Sequence, residues 1–147
     1  MLRVRLLLWP LLLVLSAAAL PAQRKTINLQ PNANRPFSDA VLVGDTLYLA
    51  GAMGRDAAGK FPDAFADEVR AALQHQSDVL KAGGMDIADV VKVTCFIADL
   101  KDYDEWNKVY REFFKGPEMP ARSTVQVAGL VQKGRIEVEM IAVKRKK

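Results

Sequence analysis

An α+β domain is the fold class that this sequence predicts, on three observations. Short β-branched runs with period-2 alternation are interleaved with two stretches whose apolar residues recur at helical spacing. No internal repeat or low-complexity linker divides the chain. A single cysteine, Cys95, rules out an internal disulfide, so stability has to come from packing or from oligomerisation.

The start of the chain reads as a secretory signal peptide. Met1-Leu2-Arg3-Val4-Arg5 is a basic head, Leu6 to Leu20 is almost wholly apolar, and Ala17 to Ala22 supplies small residues for cleavage. Pro10 interrupts the apolar run, which falls short of the roughly 20 residues that span a bilayer, so a stable membrane anchor is not expected. A cut after Ala22 assigns residues 1–22 to the leader and 23–147 to one domain, exported to the periplasm or secreted; Ala17-x-Ala19 offers an alternative cut. Loss of Arg3 and Arg5 lowers a formal charge of +4, and the remaining excess sits in the short basic tail Lys144-Arg145-Lys146-Lys147. The tail reads as solvated and frayed. Without a basic stripe or interleaved aromatics elsewhere, no nucleic-acid partner is expected.

Taken in order, Gln23 to Arg35 is polar and reads as an extended or loosely held lead-in. Ala40–Val43 and Thr46–Ala50 flank Gly44-Asp45, which predicts an antiparallel hairpin. Gly51, Gly54 and Gly59 then mark a loop whose backbone is open to close approach. Phe65, Val69, Leu73, Gln76 and Leu80 recur at helical spacing and predict a helix from Pro62 to Ala82, ended by Gly83-Gly84. Its apolar side is interrupted only by Gln76. Val90 to Ile97 is a buried strand with Cys95 as a packed thiol. Asp102 and Glu105 form a capping-box pattern opening a second helix with Trp106, Val109, Tyr110 and Phe113 as its buried stripe, ending near Gly116-Pro117. His75 reads as a partly exposed helix residue, and one Cys with one His gives no zinc site.

Two strands carry the candidate chemistry. After Pro120, the run Ala121-Arg122-Ser123-Thr124-Val125-Gln126 places Arg122, Thr124 and Gln126 on one face. A guanidinium fixed at a strand start matches a carboxylate bidentately and can clamp a small acid; a surface salt bridge is the alternative. The last strand, Arg135 to Val143, puts Glu137 and Glu139 on one face and Ile136, Val138 and Met140 on the other. Those acids are either solvent-facing charges or an acid–base group turned toward the pocket of Arg122.

Six segments in order resemble the Rid family, the YjgF-like reactive intermediate deaminases once described as translation-inhibiting ribonucleases. They are Arg35-Pro36-Phe37-Ser38-Asp39-Ala40, Leu49-Ala50-Gly51, Asp89-Val90-Val91-Lys92, Asn107-Lys108-Val109-Tyr110, Pro120-Ala121-Arg122-Ser123 and Ile136-Glu137-Val138-Glu139. The resemblance implies a chorismate-mutase-like α+β subunit, a mixed β-sheet with two helices packed on one face, assembled as a homotrimer with inter-subunit clefts. It implies hydrolysis of 2-imino or 2-enamino acids to 2-oxo acids and ammonia, without cofactor or metal. Arg122 then matches the carboxylate clamp and Glu137 the residue that works with a bound water, while Gly51, Asn107 and Thr124 match positions that line or support the cleft. Phe37 stands where archetypal members carry tyrosine and Ala50 where they commonly carry serine, so two hydroxyls are missing. Besides a deaminase, the same scaffold accommodates an exported non-enzymatic binder of small carboxylates or a holdase-like protein.

Overall fold

The computed structural model of the protein describes residues 23–31 and 34–145. The proposed signal peptide, residues 1–22, and the last two residues of the basic tail lie outside the described residues. Eight elements follow in order: β1 (Arg24–Ile27), β2 (Ala40–Val43), β3 (Thr46–Met53), α1 (Phe65–Ala82), β4 (Val90–Ile97), α2 (Tyr103–Phe113), β5 (Ala121–Gln126) and β6 (Ile136–Val143). The strands form one mixed sheet in the order β1-β2-β3-β6-β4-β5. Only β4 and β5 run parallel, and α2 is the crossover between them. This is the α+β architecture that the periodicities predict.

Alternation decides which face is covered. Leu47 and Leu49 of β3, Val93, Cys95 and Ile97 of β4, and Ile136, Val138 and Met140 of β6 are buried beneath the helices. Val69, Leu73 and Leu80 of α1 and Trp106, Val109 and Tyr110 of α2 close the core from above. The opposite face presents Tyr48, Val91, Val125 and Val143, all exposed. The Cys95 thiol is buried and free, and burial pushes it up to about 12, with the charge of Arg122 opposing the shift. A structural thiol is therefore the correct reading.

Six local expectations are corrected, the last of them at Gly51. The lead-in is partly a strand, because β1 pairs antiparallel with β2 from Arg24–Val43 to Ile27–Ala40. Its register is anchored by buried Asp39, whose carboxylate accepts from the Leu29 N–H at 2.8 Å and from Arg35 Nη1 at 2.7 Å. Helix α1 starts at Phe65, since Arg135 draws the carbonyls of Pro62 and Asp63 into hydrogen bonds of 2.6 and 3.0 Å and holds that segment extended. The Asp102 capping box does not form. A single 3-10 turn, Leu100–Asp102, runs directly into α2 and is capped by Asp99, which accepts from the Lys101 N–H at 3.0 Å. At the end of α2 the fully enclosed ring is Phe114, with Phe113 only partly buried. The basic tail is also tied down at its base: Arg145 Nε donates to Asp89 at 2.9 Å, and the Lys144 N–H donates to the Asp45 carbonyl at 2.8 Å.

Gly51 is likewise part of β3 and not of the following loop. Gly54 does make the expected close approach, for a Cβ there would lie 1.6 Å from the Glu68 carbonyl oxygen. Among the described residues no helix is long and apolar enough to cross a membrane.

Candidate active site

Arg122 sits second in β5, in register with Val93 of β4, and therefore points to the helix-covered face. There it enters an aromatic box. Its guanidinium carbon lies 4.6 Å from the ring centre of Tyr110, 5.6 Å from Trp106 and 5.9 Å from Tyr103. Nη2 donates to Asn107 Oδ1 at 2.6 Å and reaches the Tyr103 hydroxyl at 3.4 Å. The Asn107 carbonyl thus orients the fork. Among the described residues Arg122 has no carboxylate partner, and its Nε and Nη1 donate to no protein acceptor. A surface salt bridge, the alternative reading of this arginine, is absent among them.

The guanidinium opens onto a cavity of about 190 Å³ lined by Asn107, Tyr110, Arg111, Met119, Pro120 and Arg122. Burial pushes the Tyr110 phenol up to about 12, opposed by Arg122, so the ring stays a neutral, electron-rich wall. Thr124, next on the same face of β5, has a buried hydroxyl with no partner among the described residues. A larger hollow of about 850 Å³ shares Met119 and Pro120 but extends toward Asp89, Val91 and Arg145, away from Arg122.

Glu137 is placed differently. It pairs with Phe96 of β4 and Met53 of β3, which puts it on the open face of the sheet. Arg122 and Glu137 are consequently separated by β4 and directed to opposite faces, so one copy of the chain does not bring them together. The expectation that an acid on β6 faces the pocket of Arg122 fails within a subunit, because the neighbours of Glu137 along β6, Ile136 and Val138, are the ones that face the helices. Glu139, on the same face as Glu137, is exposed.

Gly51 lies directly against Glu137. A Cβ at this position would be 1.9 Å from Glu137 Oε1, so the carboxylate rests on bare backbone. Ala50, just before it, donates its N–H to the Asp39 carbonyl at 2.9 Å, which ties this bend to the loop carrying Phe37. Phe37 itself is 55% exposed and sits beneath the Arg35 guanidinium at 5.2 Å. The candidates thus sort into two groups: Arg122, Asn107 and Thr124 on the covered face, and Gly51 and Glu137 on the open face, with Phe37 and Ala50 at the edge of the second group.

Three side chains that support these groups were not legible as such. Arg35 and Asp39, an i,i+4 pair of opposite charge flanking Phe37, brace its loop. Glu68 is fully buried and accepts from the Arg135 N–H at 2.7 Å and Nε at 2.6 Å, fixing the entry to β6 just ahead of Glu137. The spacing of Arg35 and Asp39 is a usable signal; that of Glu68 and Arg135, far apart in sequence, is not.

A mixed sheet covered on one side by two helices, with an arginine at the start of its edge strand that has no carboxylate partner among the described residues, defines a small protein of the α+β class. The profile of the family described as Endoribonuclease L-PSP matches residues 27–144, and the chain belongs to this family. It is 44% identical over 115 residues to a 2-iminobutanoate/2-iminopropanoate deaminase of Bos taurus, covering 77% of this chain and 83% of that one. It is 36% identical over 132 residues to Reactive Intermediate Deaminase A, chloroplastic, of Arabidopsis thaliana, covering 87% and 70%. Among solved structures, the YjgF gene product of E. coli superposes with a TM-score of 0.77 at 34% identity, covering 82% of this chain and 99% of that one. E. coli TdcF with bound serine gives 0.76 at 32% identity, covering 82% and 100%.

Proposed function

We propose that this protein hydrolyses 2-imino and 2-enamino acids to 2-oxo acids and ammonia, in a cleft formed between copies of the chain. The observation that carries this reading is the state of Arg122: a cation gripped by Asn107 and three aromatic rings, with donors free and no acid among the described residues to neutralise it. Such a group takes a carboxylate bidentately. The names of the relatives as imine deaminases, and the serine held by the E. coli neighbour, support an amino-acid-like ligand.

The chemistry follows from the two groups of residues. Arg122 fixes the substrate carboxylate, which leaves the imine carbon at a defined distance from the clamp. Glu137 accepts a proton from water as the oxygen adds to that carbon and passes it to nitrogen, giving the carbinolamine; it then takes the hydroxyl proton and delivers it to the same nitrogen as the C–N bond breaks, so that ammonia leaves and the carbonyl forms. Because Arg122 and Glu137 face opposite ways in one chain, the reaction needs the Glu137 face of a second copy opposite Arg122. The exposed Tyr48, Val91, Val125 and Val143 supply an apolar surface for that contact, and the arrangement adopted is a homotrimer. The reading includes export after removal of residues 1–22, by the basic head and apolar run of the leader.

The test is a coupled assay in which an amino acid oxidase generates the imino acid and 2-oxo acid release is followed with and without the purified protein. Acceleration proportional to protein concentration is expected. A 2-oxo acid that binds without any acceleration would replace the deaminase with a carboxylate-binding protein, and a stable monomer in sedimentation would remove the shared cleft.

A further inference from the structure

The strand pairing around Gly51 is irregular. Leu49 of β3 faces Met140 of β6, but the next registered pair is Ala52 with Val138, so Ala50 and Gly51 together oppose the single residue Glu139. This is a β-bulge, and it resets the alternation so that Leu49 and Ala52 are both buried. A bulge leaves ladder carbonyls without strand partners. Here two carbonyls beside the bulge accept from the helix layer. Gln76 of α1, 1% exposed, donates its Nε2 protons to the Ala50 carbonyl at 2.9 Å and to the Val138 carbonyl.

The two acceptors are informative, since Ala50 directly precedes Gly51 and Val138 directly follows Glu137. One primary amide therefore bridges the backbone on both sides of the contact between Gly51 and the Glu137 carboxylate. Packing does not account for the choice of glutamine. Its neighbours on the buried side of α1, Ala72, Leu73, Val79 and Leu80, are apolar, and its own Oε1 is buried with no partner. An apolar side chain would spare the unpaired Oε1 but take the donor away from both carbonyls, so what the glutamine contributes is the bridge between them. What a hydrocarbon does not do is hold two carbonyls at one point.

We propose that Gln76 is a positioning residue for hydrolysis: it locks the Ala50-Gly51 bulge to Val138 and thereby sets where the Glu137 carboxylate stands. This rests on the deaminase reading, and it acts on the water-handling half of the reaction. The carboxylate clamp is outside its reach, because β6 and β4 both lie between β3 and the Arg122 strand, β5.

Gln76→Met keeps the length of the side chain and removes both donors. In the coupled imino acid assay its kcat, per folded protein, should fall about tenfold or more, as expected when a reacting group is displaced by a fraction of an ångström. Calorimetric binding of 2-oxobutanoate should stay within about twofold of wild type, and backbone amide exchange at Gly51 and Ala52 should accelerate. A merely structural glutamine would lower the unfolding temperature and leave kcat per folded molecule intact, and that result overturns the proposal. If Gln76→Met does not fold, Gln76→Asn decides: its shorter side chain cannot bridge both carbonyls, so kcat per folded protein should fall about tenfold with 2-oxobutanoate binding kept within about twofold, and an unchanged kcat overturns the proposal. A wild type without turnover removes the deaminase reading and this consequence with it, whereas an active wild type matched in kcat by Gln76→Met removes this inference alone.

Discussion

On the covered side of the sheet, Arg122 is immobilised by side chains: three aromatic faces and one asparagine carbonyl, all from α2. On the open side, Glu137 has no hydrogen bond or ion pair among the described residues, and what shapes its surroundings is backbone, the bare edge of Gly51. In the proposed reaction, the clamp is thus organised within one copy of the chain, while the acid–base group is left to be enclosed by a second surface. A rigid cation can select and hold a substrate without strain, whereas a carboxylate that must accept and return protons profits from room to adjust.

The sharpest way to break this contrast is at Arg122. Arg122→Ala should lower kcat/KM by about a thousandfold, and Arg122→Lys should do nearly as badly because one ammonium does not reproduce the planar fork or its stacking. Steady-state assays of both variants check this. Wild-type-like turnover in either would dissolve the clamp side of the comparison.

Glu137→Gln probes the other side. It keeps size and polarity but ends proton transfer, so turnover should drop about a hundredfold while calorimetry shows 2-oxo acid binding unchanged. Equal losses of binding and rate would mean that both faces serve the same task.

Beneath both sides lies the Glu68–Arg135 clamp, which sets the start of β6. Arg135→Leu leaves the buried Glu68 carboxylate without its charged partner and should destabilise the fold by about 3 kcal/mol, measured by denaturant unfolding. A stability loss within error of zero would show that the backbone donors alone satisfy Glu68.

The Phe37 loop responds to pH through Asp39. The Arg35 guanidinium hydrogen-bonded to it holds its carboxyl below the ordinary value of 3.8, with the Leu29 N–H adding to the effect and burial opposing it. A depressed folded-state value means that stability is present above the unfolded value and is lost as pH falls through the lower, folded one. Amide exchange in β1, corrected for its intrinsic dependence on pH, should therefore be flat from neutrality down to about pH 4 and rise only below it. In Asp39→Asn the fast exchange should be present at neutral pH.

The smallest effect is expected at Phe37. Phe37→Tyr restores a hydroxyl at an exposed ring and should raise turnover by about threefold to tenfold with no change in unfolding temperature. No change in rate would mean that other groups supply the missing hydrogen bond.

Much of this architecture is written locally. The hairpin at Gly44-Asp45, the strand Val90 to Ile97, the stop at Gly83-Gly84 and the split of β6 into acid and apolar faces all follow from short-range periodicity and turn chemistry. Arg122 stood out as a cation at a strand start, and Glu137 as one of two acids on a strand face. Asp99 displaced Asp102 as the cap because a 3-10 turn extended the helix backward, a choice decided by backbone geometry and not by the motif. The β1 strand escaped notice because its residues are mostly polar and become a strand only by pairing with β2.

The sequence by itself determined both helices, the strands from β2 onward, the two faces of β6 and the residue types on which the proposed chemistry rests, since these depend on residues within a turn or two of each other. Tertiary structure alone decided that Arg122 and Glu137 point to opposite sides of the sheet, that two residues of β3 oppose one of β6, and that a glutamine in the middle of α1 meets the carbonyls this exposes. Strand order and register are set by contacts between segments distant in the chain, and a shift of one residue in pairing reverses every face. Such contacts leave no local pattern for periodicity to reveal.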